Sequence, residues 1–370
     1  MKKNSINSQS PKRRVRRQSP ITIGIDLGDK NSRFAVLNEG GELYAEGGVA
    51  TNRKALLEKF AGVPPCRIAM EVGTHSPWVS RLLQSLGHEV IVANARQLRV
   101  ITHSTRKDDR ADAHMLARLA RIDPQLLRPV RHRSEEAQGH LLLIRARAAM
   151  VDARTSLINA ARGLAKPVGE RLPRCDADRL GAAHAGSLPP AVQQALTPLL
   201  EQIEALTRRI KEAEAQLEQI ARSEYPETEL LRQVSGVGPL IALTFVLTVE
   251  MPERFAKSRD VGCYVGLRPK RRQSGEREPE LRITKEGDVY LRRLLVQGAH
   301  CILSRRAPDT DLKRWGLKLA GRGGRKAKKR AVVAVARKLA VLLHRLWVTG
   351  EVYEALRNSR AAARNNAAAA

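Results

Sequence analysis

Hydrophobic and polar positions alternate in short runs through the first hundred residues. In ITIGIDLGDKNSRFAVL, residues 21–37, Ile21, Ile23, Ile25 and Leu27 fall on one side, while Thr22, Gly24 and Asp26 fall on the other. That is the two-residue period of a strand. A polar turn through Asp29, Lys30, Asn31 and Ser32 leads to a partner strand at Arg33–Leu37. A third strand is expected over Leu43–Val49. A fourth covers Arg67–Val72, with Ile68, Met70 and Val72 on one side and Glu71 on the other. Pro77 sits where a helix begins, Gly87 where it stops, and Glu89–Ala93 reads as the next strand.

Three antiparallel strands followed by parallel ones, in the order β-β-β-α-β-α, fit an α/β fold of the ribonuclease-H type. The period then lengthens. A helix is expected from about Lys107 through Asp112, Leu116 and Leu119 to Ile122, and another over Ser134–Leu164. Residues 167–190 carry several Pro and Gly and read as an irregular insertion or hinge. In residues 192–220, Leu196, Leu200, Ile203, Leu206, Ile210, Ala213 and Leu217 recur at three- and four-residue steps between charged positions. This heptad-like seam reads as a dimerising coiled coil, with a helical hairpin inside one chain as the alternative. From Thr228 a mainly helical C-terminal domain is expected. The divisions are a basic disordered arm at 1–20, an α/β domain at 21–165, hinge and coiled coil at 166–227, the C-terminal domain at 228–355, and a disordered tail at 356–370.

Charge narrows the partners. Of 370 residues, 66 are Lys or Arg against 38 Asp or Glu, giving a formal charge of +28. A chain this basic usually meets a polyanion, and nucleic acid is the default. Aromatics make up only 3%, so backbone neutralisation rather than base stacking should dominate. The four cysteines, Cys66, Cys175, Cys263 and Cys301, show neither a disulfide framework nor a C-x-x-C metal pair. No run of about 18 apolar residues suggests a membrane span, and a cytoplasmic, nucleoid-associated location is expected.

An ionised Asp26 inside so apolar a strand needs a compensating charge: a magnesium ion, a nucleotide's metal-phosphate group, or a nearby Arg. Glu71 raises the same question. Asp109 and Asp112 are three apart on one helical face. Carboxylates gathered together are tolerated when divalent cations clamp the oxygens of a phosphoryl transfer. Further on, Val234-Ser235-Gly236-Val237-Gly238-Pro239 joins two apolar helices as a helix-hairpin-helix-like turn. Gly236 and Gly238 would let backbone N–H groups approach a DNA phosphate. The loop GLRPKRRQSGER, residues 266–277, holds Ser274 among Lys270, Arg271, Arg272 and Arg277. These cations would stabilise a scissile phosphate beside a hydroxyl nucleophile. Arg292 and Arg293, on the basic helix that follows ITKEGDVY, suit contacts to the DNA backbone. His75, His103, His114 and His300 show no metal-ligand spacing.

GIDLGDKNS, AMEVGTHSPW, KDDRADA, VSGVGPLIAL, and GLRPKRRQSG followed by ITKEGDVYLRRLL stand in an order that resembles the DEDD transposases of insertion-sequence family 110. The related Piv-type DNA invertases and RNA-guided bridge recombinases share it. The resemblance implies a RuvC-like N-terminal domain, a coiled-coil connection and a C-terminal transposase domain. It implies Asp26, Glu71, Asp109 and Asp112 as a magnesium-binding tetrad, holding two ions, and Ser274 as a nucleophile that forms a phosphoserine link to DNA. It further implies donor and target DNA, a noncoding guide RNA, and homodimers that pair into tetramers. Asp108 stands where the family usually has a neutral residue and is not counted as a ligand; Ser235 stands where such hairpins often carry Pro. The alternatives are a RuvC-like junction nuclease that needs no serine, an actin- or Hsp70-like ATPase suggested by the Asp-x-Gly turn of GIDLGDKNS, and a DNA-binding protein that needs no carboxylates.

Overall fold

The computed structural model describes residues 21–94, 108–272, 275, 281–324 and 326–359. The basic arm at 1–20, most of the tail, and Gln273, Ser274 and Arg277 lie outside the described residues. The chain forms two compact units, Met1–Arg133 and Ser134–Ala370.

The first unit is built on one five-stranded sheet: β1 (Thr22–Asp26), β2 (Asn31–Leu37), β3 (Leu43–Ala50), β4 (Arg67–Glu71) and β5 (Glu89–Ala93), in the spatial order β3-β2-β1-β4-β5. β1–β2 and β2–β3 are antiparallel, whereas β1–β4 and β4–β5 are parallel. This mixed order fits the ribonuclease-H arrangement expected from the alternation pattern. Ile23, Ile25, Ile68 and Met70 are buried on one face with Leu56 and Phe60 of α1 (Arg53–Phe60) and Val79 and Leu83 of α2 (Ser76–Ser85). The opposite face carries Thr22, Gly24 and Asp26 of β1, and there α3 (Asp109–Ile122) packs. Asp108 caps α3, its side chain accepting from the Arg110 N–H at 3.1 Å. That is a helix-start role for the very aspartate the family pattern left over.

In the second unit, α4 (Glu135–Ala165) begins at Ser134, whose hydroxyl accepts from Ala137 N–H at 3.1 Å. α5 (Pro190–Glu224) returns alongside it, with Arg154 donating to Thr207 and His140 pairing with Tyr225. The two helices therefore run antiparallel. Leu196, Leu200, Ile203, Ile210, Ala213 and Leu217 are buried within the chain. This corrects the dimerising coiled coil: the seam is the inner face of an intramolecular hairpin. Residues 166–189 are irregular, but Leu172, Leu180, Ala185 and Leu188 are buried among Ile158, Ala161, Leu200 and Ile203. They cap the hairpin's tip rather than acting as a loose hinge.

The remaining helices are α6 (Glu227–Arg232), α7 (Pro239–Val249), α8 (Arg259–Tyr264), α9 (Val289–Ile302), α10 (Asp311–Ala320) and α11 (Ala327–Thr349). α7 is buried from Ile241 to Val249, against Leu291, Leu295, Leu339 and Leu343 among others. The start of the expected tail is also docked: the N–H of Asn358 donates to Asp311 at 2.7 Å, and the N–H of Asp311 donates to the Ala355 carbonyl at 2.8 Å. No helix among the described residues is long and apolar enough to cross a membrane.

Candidate active site

The parallel register of β1 and β4 ends at the pair Ile25–Met70, so Asp26 and Glu71 are the next residues on adjacent strand ends. Both follow the face that carries Gly24 and Ala69. α3 crosses that face so closely that a Cβ on Gly24 would stand 2.0 Å from the Ala113 carbonyl oxygen and 2.6 Å from the Ala117 nitrogen. Further along α3, the Ala120 carbonyl accepts from Arg67, at the start of β4, at 3.0 Å. The helix thus runs opposite to β1 and β4, and its first turn, with Asp109 and Asp112, lies toward the edge where Asp26 and Glu71 end their strands. Asp26, Glu71 and Asp112 are half-buried and Asp109 is exposed.

The donor set is all oxygen, the chemistry of a hard divalent cation. The positive end of the α3 dipole lies beside it and favours carboxylates there. Among the described residues, no group of three or more His, Cys, Asp or Glu side chains is placed to hold a metal ion. The backbone therefore gathers the four positions at one edge without closing them into a ligand cluster. Arg33 is the register partner of Asp26 on β2, but its guanidinium lies over β3, 3.0 Å from where a Cβ on Gly48 would be.

The same unit holds a histidine in a defined hydrogen-bond setting. His75, just before α2, accepts a hydrogen bond from the Trp78 indole at Nδ1 (3.1 Å) and turns Nε2 to Asp29 at 3.4 Å. The indole is a donor only, so it fixes the proton of the neutral ring at Nε2. A His three residues before a Trp at a helix start was the available signal.

In the second unit the loop bearing Ser274 is mounted on a short antiparallel stem. Lys270 donates to the Arg282 carbonyl (2.9 Å), Thr284 to Arg268 (2.8 Å) and Lys285 to Gly266 (3.1 Å). At its base, Gly266 (φ +72°) and Gly287 (φ +72°) hold left-handed conformations. A Cβ on Gly266 would stand 2.1 Å from the Glu286 oxygen, and one on Gly287 1.9 Å from the Tyr264 oxygen. Only glycine fits either place. Lys270, Arg271 and Arg272 are exposed on the described side of the loop.

Arg292 corrects one DNA-contact expectation. It is only 9% exposed, and its guanidinium donates to the carbonyls of Val265 (3.1 Å) and Glu286 (2.8 Å). It ties the stem's base to α9 instead of facing outward. Arg293 remains at the surface, over the Tyr290 ring at 5.0 Å and 3.7 Å from Asp152. The glycine turn divides similarly. Gly236 (φ +85°) abuts α9, where a Cβ would come within 2.9 Å of the Gly298 carbonyl oxygen. Gly238, at the exposed start of α7, has nothing within 4 Å of its Cβ position. The close packing of Gly236 is with its own chain, and Gly238 is the open one.

Two family models match the chain. One, DEDD_Tnp_IS110, described as a transposase, covers residues 23–168; the other, the transposase IS116/IS110/IS902 family, covers 228–313. The transposase for insertion sequence element IS1111A of Coxiella burnetii is 28% identical over 350 residues, covering 92% of this chain and 94% of that one. The transposase for insertion sequence element IS1328 of Yersinia enterocolitica is 30% identical over 289 residues, covering 76% and 84%. The ordered motifs, the mixed sheet and these matches agree: the chain belongs to the IS116/IS110/IS902 family of transposases.

Proposed function

We propose that this transposase cuts and rejoins donor and target DNA through a phosphoserine link at Ser274, assisted by magnesium held at Asp26, Glu71, Asp109 and Asp112. The observation that carries the reading is the shared edge: two strand-end carboxylates beside the first turn of a helix with two more. Bound there, two Mg²⁺ ions would act as Lewis acids on the scissile phosphate. Ser274 would attack phosphorus through Oγ as its proton leaves to a base; the new Ser–O–P bond replaces the P–O bond to a sugar oxygen, which departs and takes up a proton. The phosphodiester energy is kept for the later attack of another DNA end on the phosphoserine. The hydrogen-bonded stem supports this reading, because Lys270 and Arg282, which flank the serine loop, are paired across it. Lys270, Arg271, Arg272, Arg277 and Arg293 would neutralise DNA phosphates, and Gly238 would offer the α7 N-terminus to another.

The net charge of +28 suits a second polyanion as well as DNA, and the family resemblance makes it a guide RNA. The resemblance likewise makes the working species a homodimer, pairing into a dimer of dimers on chromosomal DNA in the cytoplasm. The α5 seam is occupied within the chain, so another surface would join the subunits. Asp26→Asn, Glu71→Gln and Asp112→Asn test the reading in a cleavage assay on element-end DNA with the adjacent transcribed RNA. Each should lower magnesium-dependent cleavage by at least about a hundredfold, on the scale of losing a transition-state charge stabiliser. Wild-type rates in all three would refute it.

A further inference from the structure

Between the stem of the serine loop and the last two helices lies a groove of about 1160 Å³. One wall is a single stripe of α11 and the Lys326 that precedes it, at three- and four-residue steps: Lys326, Lys329, Arg330, Arg337 and Lys338, with Val333, Ala334 and Val341 between them. The other wall is the stem itself, through Pro269, Arg282, Ile283 and Lys285. Trp315 of α10, half-buried, lines the groove as well, with the Lys338 ammonium 4.2 Å over its ring centroid. No carboxylate is among the described residues that line it.

Seven Lys or Arg side chains interleaved with Leu267, Leu281, Ile283, Val333, Val341 and one indole call for an occupant that offers both phosphates and apolar base surface. Duplex DNA presents phosphates outward and hides its base faces. An unpaired strand exposes both, and such strands are held by a basic track beside apolar surface on which bases stack. The stripe from Lys326 to Val341 runs along α11 for about 22 Å at 1.5 Å per residue, which suits a short run of nucleotides. The groove begins on the stem that carries the serine loop, so a strand lying in it continues toward that loop.

We infer that this groove binds an unpaired stretch of the DNA strand being exchanged and leads it to the serine loop, with α11 contacting its phosphates and Trp315 and Ile283 meeting its bases. The inference rests on the proposed serine chemistry for its direction, but not for the binding itself.

The test uses the full chain and fluorescence anisotropy with a labelled oligo(dT), an oligo(U) of equal length, and a mixed-sequence duplex. Lys326→Glu/Lys329→Glu replaces two exposed lysines, and its thermal unfolding should match the wild type. The inference expects oligo(dT) to bind about tenfold more weakly to this variant, with the salt slope smaller by about 2, while duplex binding changes little. An oligo(dT) carrying 5-iodouracil should cross-link on irradiation to Trp315 or to residues 281–285. Unchanged oligo(dT) binding together with cross-links elsewhere would overturn the inference. An equal loss for duplex would make the groove a general backbone track, and a loss confined to oligo(U) would make it an RNA site; either result also overturns it. Ser274→Ala separates the two readings. If it binds oligo(dT) normally while the wild type forms no DNA adduct, the serine chemistry fails and the groove stands.

Discussion

Gly24 shows how tightly the carboxylate edge depends on residues that do no chemistry. Its missing side chain lets α3 lie on β1, so Gly24→Ala should drive the helix off the sheet and destabilise the chain by about 3 kcal/mol or more, the upper range of overpacking. A melting midpoint unchanged from wild type would contradict the close approach of Ala113. Arg292 makes the complementary point. Arg292→Met would leave the Val265 and Glu286 carbonyls without its hydrogen bonds, at a cost of about 2 kcal/mol, whereas exposed Arg293→Ala should barely move the midpoint. Equal effects of the two would remove the structural role given to Arg292. From sequence the two arginines are indistinguishable neighbours in a basic run; only the fold says which one turns inward.

His88 gives the N-terminal unit a pH dependence. Nδ1 accepts from the Cys66 N–H (3.3 Å) and Nε2 faces the Phe60 carbonyl (3.4 Å), an arrangement that needs the neutral ring. Burial holds its pKa below the ordinary 6.5, against the opposing pull of the Phe60 carbonyl. His132 is lowered too, first by burial and then by Arg81 and Arg133. With both folded-state values depressed, the unfolded chain takes up protons first. The stability of the neutral rings is therefore complete above about pH 6.5 and is lost as pH falls below it. Hydrogen exchange of the β1 and β4 amides, corrected for intrinsic rates, should quicken on acidification in the wild type and less so in His88→Gln.

At the scale of elements, the strands were legible because alternation names both the strand and its buried face. β5 was expected at Glu89–Ala93 and is found there, and α2 was placed by Pro77 and Gly87, whereas the eight residues of α1 (Arg53–Phe60) were assigned no place in the sequence. The seam of α5 was legible only as a face. Heptad-like spacing says which residues are buried, not whether the partner is α4 or a second chain. The packing of 166–189 was hidden because irregular backbone has no period, although its leucines are buried. The hairpin predicts that Leu217→Ala, at a buried position, costs about 2–5 kcal/mol and leaves the mass measured by light scattering unchanged. A variant that dissociates while keeping its stability would restore the intermolecular coiled coil.

For the whole molecule, charge predicts how binding responds to salt. If the protein neutralises about six to ten phosphates, affinity for DNA should fall by about 10³–10⁵ between 50 and 200 mM salt. Covalent chemistry at Ser274 is the step on which the proposed reaction turns, and only the motif order brought its loop into view. Wild type, Ser274→Ala and Asp26→Asn should be mixed with element-end DNA, the adjacent transcribed RNA and magnesium, then run on a denaturing gel that separates protein-bound DNA from free DNA. A protein–DNA adduct is expected in the wild type, none with Ser274→Ala, and loss of the adduct with Asp26→Asn or on chelating the metal. Cleaved DNA without an adduct, undiminished in Ser274→Ala, would contradict the serine step and leave a metal-dependent hydrolytic nuclease in its place.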